Sequence, residues 1–253
     1  MRLALAALAA LVACGAPLAA AADTIIDGIA LGTPLETLLK TEGAPSSVHS
    51  GDNGNEILWR TVTGAAGVFV DEGVVDAIVF APTAGKRITV DFDGKPVSFA
   101  IGAYTMDQAD VQLAADAQYS DGATRTYIPA PGRELVLMFD EQTKLLARVA
   151  YGDRGTIARI GYIRADDIAT SVPYHAAILN KSAIKDAGPG PAALIAYSID
   201  RRGFVKNVSV LLPSGVAPFD DLLANGLTDD KFTPAHLGGR GIASTYYRMV
   251  HAP

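Results

Sequence analysis

Cysteine is nearly absent from this 253-residue sequence, in which Cys14 is the only one. No disulfide can therefore form within the chain. Positive charge is also scarce, with 21 Lys and Arg against 27 Asp and Glu. This acidic balance argues against a nucleic-acid partner, which requires a basic surface. Beyond the N-terminal region there is no second long apolar run, so the sequence predicts no further membrane span. Ordinary hydrophobic cores must stabilise the chain.

The sequence also lacks the patterns that carry chemistry. Its four histidines, at positions 49, 175, 236 and 251, do not stand at metal-ligand spacing. Adjacent acidic pairs such as Asp220-Asp221 do not face each other on a helix and point apart on a strand, so they form no catalytic dyad. Ser214-Gly215 lacks the strand–turn–helix context of a nucleophile elbow. We therefore predict no catalytic residue, no metal site and no cofactor.

The N-terminus has the three parts of a secretory signal peptide. A single charge at Arg2 precedes an apolar run, and the small residues of 19–22 come before the polar Asp23. This pattern predicts export and cleavage after residue 22, which places the mature protein in the periplasm. One alternative is an uncleaved membrane anchor. Another is a lipoprotein, because Leu11-Val12-Ala13-Cys14 resembles a lipobox in which Cys14 becomes a lipidated N-terminus.

Two successive segments share one pattern of elements. In the first, Thr33 and Glu36 predict a capping box around a short helix that ends at Gly43, and strand-like runs and a hairpin follow up to Phe80. In the second, Thr105 and Gln108 predict another capping box before a similar series of strands up to residue 151. Glycines 32 and 102, and phenylalanines 69 and 139, are each 70 positions apart. This common offset predicts an internal structural repeat.

The repeated unit resembles the small module of β-lactamase inhibitory protein (BLIP) and the outer-membrane lipoprotein BamE. The matching residues run from Ile29 to Pro45 and continue through Trp59 and the hairpin of residues 68–80; the second copy keeps Ile101-Gly102 and its hairpin but lacks the Gly-x-Pro helix stop. The resemblance implies a helix followed by a curved antiparallel sheet in each copy. It also implies binding rather than catalysis.

The last third of the sequence has a different order of elements. After the breaker cluster of residues 188–191, we predict two strands joined by the turn Arg201-Arg202-Gly203, then a helix from Pro218 to Leu227. A final strand follows the glycines before Ala243. This order, with Ile199-Asp200-x-x-Gly203 and Phe232-x-Pro234-Ala235, resembles the C-terminal domain of TonB-type energy transducers. The resemblance implies that fold and binding of a peptide strand, but not energy transduction.

We therefore predict an α+β protein with two tandem helix-plus-antiparallel-sheet modules followed by a TonB-C-like α+β unit. The predicted boundaries are a signal peptide at 1–22, modules at 23–87 and 88–165, and the C-terminal unit at 172–253. The candidate partner-binding residues lie on predicted strands and are Trp59, Tyr127, Tyr246, Tyr247 and Arg248. For Trp59 and Tyr127, a place in the core is an equally good interpretation.

The functional prediction is a non-enzymatic cell-envelope protein that binds protein or peptide partners, by strand addition to the C-terminal sheet. The final strand, Ser244 to Val250, is the expected site, and the competing view is that a dimer partner or a neighbouring unit of the chain blocks its edge. Contact with the membrane is expected only through a lipid on Cys14. Two alternatives stay open: an inhibitor of a periplasmic or secreted enzyme, and an unrecognised hydrolase with its site between units.

Overall fold

The computed structural model of the chain describes residues 29–61, 64–82, 87–92, 95–113, 117–160 and 173–253. The predicted signal peptide and Cys14 lie outside these described residues. No helix within the described ranges is long and apolar enough to cross a membrane.

The described part of the chain begins with two halves of similar order. The first half contains α1 (Leu35–Glu42), β1 (Ser47–Gly51), β2 (Gly54–Thr61), β3 (Gly64–Asp71) and β4 (Val74–Pro82). A hairpin of β5 (Arg87–Phe92) and β6 (Lys95–Ala100) follows. The second half contains α2 (Met106–Gln112), β7 (Ala117–Asp121), β8 (Thr124–Ala130), β9 (Arg133–Phe139), β10 (Leu146–Asp153) and α3 (Arg154–Arg159).

The C-terminal unit is built mainly from short strands. Its elements in chain order are β11 (Tyr174–His175), β12 (Ile178–Lys181), β13 (Ala192–Ile199), β14 (Val205–Leu212), the helix α4 (Ala217–Gly226), β15 (Lys231–Thr233), β16 (Ala235–Leu237), β17 (Arg240–Ile242) and β18 (Ser244–His251). The two strands, the helix and the final strand predicted for this region correspond to β13, β14, α4 and β18. Those element predictions are confirmed.

One antiparallel sheet of eight strands joins the two halves, in the order β1-β2-β3-β4-β10-β9-β8-β7. The halves meet where β4 pairs with β10, with Phe80 opposite Val149 and Ala77 opposite Gly152. A separate sheet in each half would leave two central strand edges unpaired, and pairing β4 with β10 satisfies both.

The predicted fold class is therefore wrong. The structure is mostly β, with 53% strand and 16% helix, and it does not consist of two helix-plus-sheet modules. The four helices of the described ranges have only six to ten residues each, and the strands of both halves form the common sheet. Local sequence patterns identified most elements but not the pairing between the halves.

A matching backbone contact holds the entry to the first helix of each half. Gly32 N–H donates to the carbonyl of Val75 at 2.7 Å, and Gly102 N–H donates to the carbonyl of Leu146 at 2.9 Å. In both cases the chain before the helix is fixed to the start of the innermost strand of its half, β4 or β10. The short helices are therefore positioned by tertiary contacts as well as by their own hydrogen bonds.

The large sheet is covered on both faces. On one face, α1, α2 and the β5–β6 hairpin contribute buried residues such as Leu38, Ile88 and Phe99 to the main core. On the other face, Ile157 of α3 packs against a smaller cluster that includes Phe69. Alternation along β4 and β10 supplies both cores, since successive side chains of a strand point to opposite faces.

The C-terminal unit has a core of its own under a three-stranded sheet of order β14-β13-β18. Phe219 and Leu223 of α4 pack there against Ile195, Tyr197 and other buried residues. The pairs β12–β15 and β11–β16–β17 form two further small sheets. Leu194 and Tyr247 instead join the main core, so the two parts of the chain share an apolar contact.

Candidate functional site

The edge of β18 that was expected to bind a peptide lies against the first half of the chain. Tyr247 N–H donates to the Ser50 hydroxyl oxygen at 3.0 Å, and the same hydroxyl lies 3.1 Å from the Tyr247 carbonyl. Asn55 Nδ2 donates to the carbonyl of Thr245 at 3.1 Å. Side chains from β1 and β2 thus occupy backbone positions that an added strand would need. The competing view in the sequence analysis, a blocked edge, describes this arrangement.

The other predicted binding residues on β18 make contacts within the C-terminal unit. Arg248 donates from Nη1 to the Ser182 hydroxyl at 2.8 Å and from Nη2 to the Ile184 carbonyl at 3.3 Å. The Tyr246 ring lies 5.2 Å from the Phe232 ring, edge to face. These contacts hold the strand to its own unit.

Tyr247 is buried at 3% exposure. Burial, reinforced by the negative charge of Asp71, raises the pKa of its phenol to about 12. A buried phenol that stays neutral at physiological pH contributes to packing between the units.

Trp59 and Tyr127 both lie in the core. Trp59 is 6% exposed and donates from Nε1 to the carbonyl of Gly43 at 3.1 Å, which fixes the end of α1 to β2. Tyr127 on β8 is fully buried. Of the two interpretations of these aromatics, their positions agree with the core rather than with an exposed binding face.

Among the described strands, none pairs with the outer edge of β14. The pairing of its inner edge identifies the backbone groups that face outward. In an antiparallel ladder a residue directs its N–H and C=O to the same neighbouring strand, and successive residues alternate. Tyr247 directs these groups towards Ser50, so its partner Ala196 directs them towards β14, where it lies opposite Ser209. Val208 therefore directs its N–H and C=O away from β13, and no described strand pairs with them.

The side chains of β14 give this edge little protection by charge. Phe204, directly before the strand, is 54% exposed, and Lys206 forms an ion pair with Asp200 at 3.2 Å. From Val208 to Leu212 the strand carries no charged side chain. Charged residues are a common protection of edge strands, so this part of β14 lacks one of the usual barriers to pairing.

A second feature is a cleft of about 200 Å³ between the large sheet and the C-terminal unit. Its apolar part includes Phe69, Leu237 and Ile242. Its polar part contains Asp71, Asp76, Asn55, Thr156, Arg159 and Tyr174. Two carboxylates and one guanidinium therefore line the same space.

The polar groups of the cleft form a chain of contacts. The Thr156 hydroxyl donates a hydrogen bond to Asp76 Oδ2, and Arg159 Nη2 donates to Thr156 Oγ1 at 2.6 Å. The same guanidinium nitrogen lies 3.9 Å from Asp76 Oδ2, and its carbon lies 5.6 Å from the centre of the Tyr174 ring. Arg159 thereby joins α3 to β11 of the C-terminal unit.

The surroundings of Asp76 disfavour the ionised form of its carboxyl group. Burial raises its pKa, and the negative charges of Asp153 and Asp71 raise the pKa further, while the Thr156 hydrogen bond and Arg159 lower it. The raising effects prevail. The raised pKa of Asp76 thus reflects its burial first and the neighbouring negative charges second.

Sequence reasoning missed both the open β14 edge and the cleft. The strand was predicted, but which of its edges stays open depends on the pairing of β13 and β18. Asp76 and Thr156 are 80 positions apart and belong to no motif, so their contact had no signal in the sequence.

Comparison with known proteins identifies no family for this chain. No family model matches it. No curated protein matches it.

Two solved structures match about half of this chain at low similarity. One is a cysteine-rich secretory protein from Staphylococcus aureus, with a TM-score of 0.31, 13% identity, and coverage of 51% of this chain and 46% of that one. The other is an extracellular protein with an SCP domain from Bacillus anthracis, with a TM-score of 0.33, 17% identity and the same coverage. This chain thus spans less than half the length of either protein.

The predicted resemblances to the TonB C-terminal domain and to BLIP/BamE-like modules are wrong, as are the descriptions built on them. No family model of either kind matches, and the two solved structures are SCP-domain proteins. Both are described as secretory or extracellular.

Proposed function

We propose that this chain is a non-enzymatic, periplasmic binding protein that takes an extended segment of an envelope protein onto the outer edge of β14. The observation that carries the proposal is the orientation of Val208, whose N–H and C=O point away from β13 with no described strand beside them. Backbone pairing at such an edge gives affinity, and side-chain contacts give specificity.

Three features support β14 over β18 as the binding edge. Ser50 and Asn55 already bond to the outer backbone groups of β18. The stretch from Val208 to Leu212 is free of charged side chains. Phe204 offers an exposed ring beside the start of the strand, where an apolar side chain of the peptide can pack.

The test uses an array of decapeptides that covers the envelope proteins of the source cell. For peptides that bind wild type, affinity is measured by fluorescence anisotropy with Val208→Pro and Val208→Ala. Proline removes the outward N–H without breaking a β13 bond, whereas alanine keeps the N–H and shortens the side chain. We expect about a tenfold loss for Val208→Pro, since one hydrogen bond contributes about 0.5–1.5 kcal/mol and the ring hinders the added strand.

Val208→Ala is the matched control and should bind within about threefold of wild type. Circular dichroism checks that both variants are folded. Equal affinity of a folded Val208→Pro variant and wild type would exclude pairing at this position. Hydrogen exchange gives a second measurement, because a bound strand should slow exchange of the Val208 and Val210 amides and leave the inward Ser209 amide unchanged.

A further inference from the structure

The cleft at Asp76 combines an apolar wall with an excess of negative charge. Asp76 and Asp71 contribute two carboxylates, and Arg159 contributes one cation. Arg159 is already engaged, since it donates to Thr156 and lies over Tyr174. The single guanidinium therefore does not balance the charge of both carboxylates.

The geometry at Asp76 leaves one oxygen available. Thr156 bonds to Oδ2, and Arg159 also approaches Oδ2, while Oδ1 receives no hydrogen bond from the described residues. The side chain of Asp76 is 23% exposed, so this carboxylate is reached from the cleft. A donor that enters there would complete the charge balance of a carboxylate that burial disfavours.

We propose that the cleft binds an alkylammonium group, with Asp76 and Asp71 facing the charge and Phe69, Leu237 and Ile242 contacting the methylene stem. A compact ammonium with three donors suits a small space better than a second guanidinium, which would compete with Arg159 for the Tyr174 ring. An alkyl stem packs on apolar surface while its charged end stays at polar groups. The volume of about 200 Å³ suits a side chain of this size.

This site shares no residue with the β14 edge and does not depend on the proposed function. The same chemistry occurs in a lysine side chain of a partner protein and in a free amine. Both are included in the test as separate probes.

The experiment follows the amide signals of the full chain by NMR during titration with Nα-acetyl-lysine N-methylamide and with cadaverine. Nα-acetyl-norleucine N-methylamide, which lacks the ammonium, is the matched neutral probe. We expect the ammonium probes to shift the amide signals of Asp76, Thr156 and Tyr174. The affinity obtained from these shifts should be at least tenfold higher than that of the neutral probe. Tighter binding of the lysine derivative than of cadaverine indicates a protein partner, and the reverse indicates a free amine.

Two variants test the role of charge. Asp76→Asn should weaken binding of the ammonium probes about tenfold or more, while the control Asp107→Asn on α2 should not change it. Arg159→Gln should tighten binding, because it removes the competing cation. Asp71→Asn is a second test of the negative charge, and a smaller loss of affinity is expected for it.

The proposal is overturned if neither amine shifts the cleft amides at millimolar concentration, or if the neutral probe binds as well. Weaker ammonium binding in Arg159→Gln would also overturn it, provided that the Thr156 and Tyr174 amide signals of the free variant match those of wild type, because removal of a competing cation must strengthen binding of another cation.

Discussion

The hydroxyl of Ser50 contacts both backbone groups of Tyr247, accepting from its N–H at 3.0 Å and lying 3.1 Å from its carbonyl oxygen. One side chain thus performs the pairing that a neighbouring strand would otherwise supply. Asn55 adds a parallel contact to Thr245. Together these contacts join the edge of the eight-stranded sheet to the edge of the C-terminal sheet.

Replacement of Ser50 by alanine should loosen this junction. The Tyr247 amide loses its acceptor, so its hydrogen exchange should become faster by about fivefold, as expected for a hydrogen bond that contributes about 1 kcal/mol. Ser47→Ala, on the same strand and exposed, is the control and should leave the Tyr247 amide unchanged. An unchanged exchange rate in Ser50→Ala would mean that packing alone holds the two edges together.

Gly152 should not tolerate a methyl group at the seam between β4 and β10. A Cβ at this position would lie 2.4 Å from Ala77 Cβ and 2.6 Å from Ala77 Cα. We expect Gly152→Ala to lower the free energy of unfolding by about 1–3 kcal/mol or more. Urea denaturation followed by the fluorescence of Trp59, the single tryptophan, measures the change.

The control is Gly190→Ala, because the nearest atom to its added Cβ lies 3.4 Å away, an ordinary contact. Its stability should stay within about 0.5 kcal/mol of wild type. A Gly152→Ala protein as stable as wild type would contradict the close pairing of β4 and β10.

Asp110 should stabilise the chain through Arg125. The two side chains form a bidentate pair at 2.5 and 2.9 Å that fixes α2 to β8, and the Arg125 hydrogen bond lowers the pKa of Asp110. We expect Asp110→Asn to lower the free energy of unfolding by about 1–2 kcal/mol at neutral pH, because the largely buried guanidinium loses its anionic partner. The loss is no larger because solvent partly screens the Asp110 carboxylate. Chemical denaturation measures this loss.

The pH dependence gives a second check on this pair. Since the folded-state pKa of Asp110 lies below the unfolded value of 3.8, the stabilisation is complete above that value and disappears as the pH falls through the folded pKa. The stability difference between Asp110→Asn and wild type should therefore shrink below about pH 3.8. A difference that is constant with pH would point to packing instead.

Asp76 should behave in the opposite way. Its pKa is raised in the folded state, mainly by burial, so the folded state binds the proton more tightly than the unfolded state does. The protein therefore loses stability as the pH rises from 3.8 through the folded pKa and the carboxyl ionises. Asp76→Asn should be at least as stable as wild type at pH 7. Its advantage should decrease at lower pH, as measured by thermal unfolding at a series of pH values.

Local patterns predicted several elements well because their contacts span few residues. The capping box of Thr105 and Gln108 is present, with both hydrogen bonds formed across one turn. The corresponding box of Thr33 and Glu36 is absent, and Pro34 occupies the N-cap. The carbonyl of Thr33 instead accepts a hydrogen bond from Val75 N–H, a tertiary contact that takes precedence over the local preference.

Local sequence patterns could not predict which distant strands pair with each other. Nothing in the sequence near Phe80 indicates that it lies opposite Val149, because a buried strand reads the same for any partner. Trp59 and Tyr127 illustrate the same limit, since an aromatic residue on a strand fits a core and a binding face equally well. Only the helices and the hairpin above the sheet decide that both are buried.

The order of strands in the large sheet has a consequence for the speed of folding. Within each half, neighbouring strands are consecutive in the chain, so their hairpins require only short loops to close and can form within microseconds. The β4–β10 pair is the exception, because the β5–β6 hairpin, α2 and strands β7 to β9 all lie between these two strands in the chain. Loop closure of that length costs entropy before any contact compensates for it. Formation of this single pair is therefore expected to limit the folding rate of the sheet, and changes at Gly152 should slow folding if the pair is formed in the transition state.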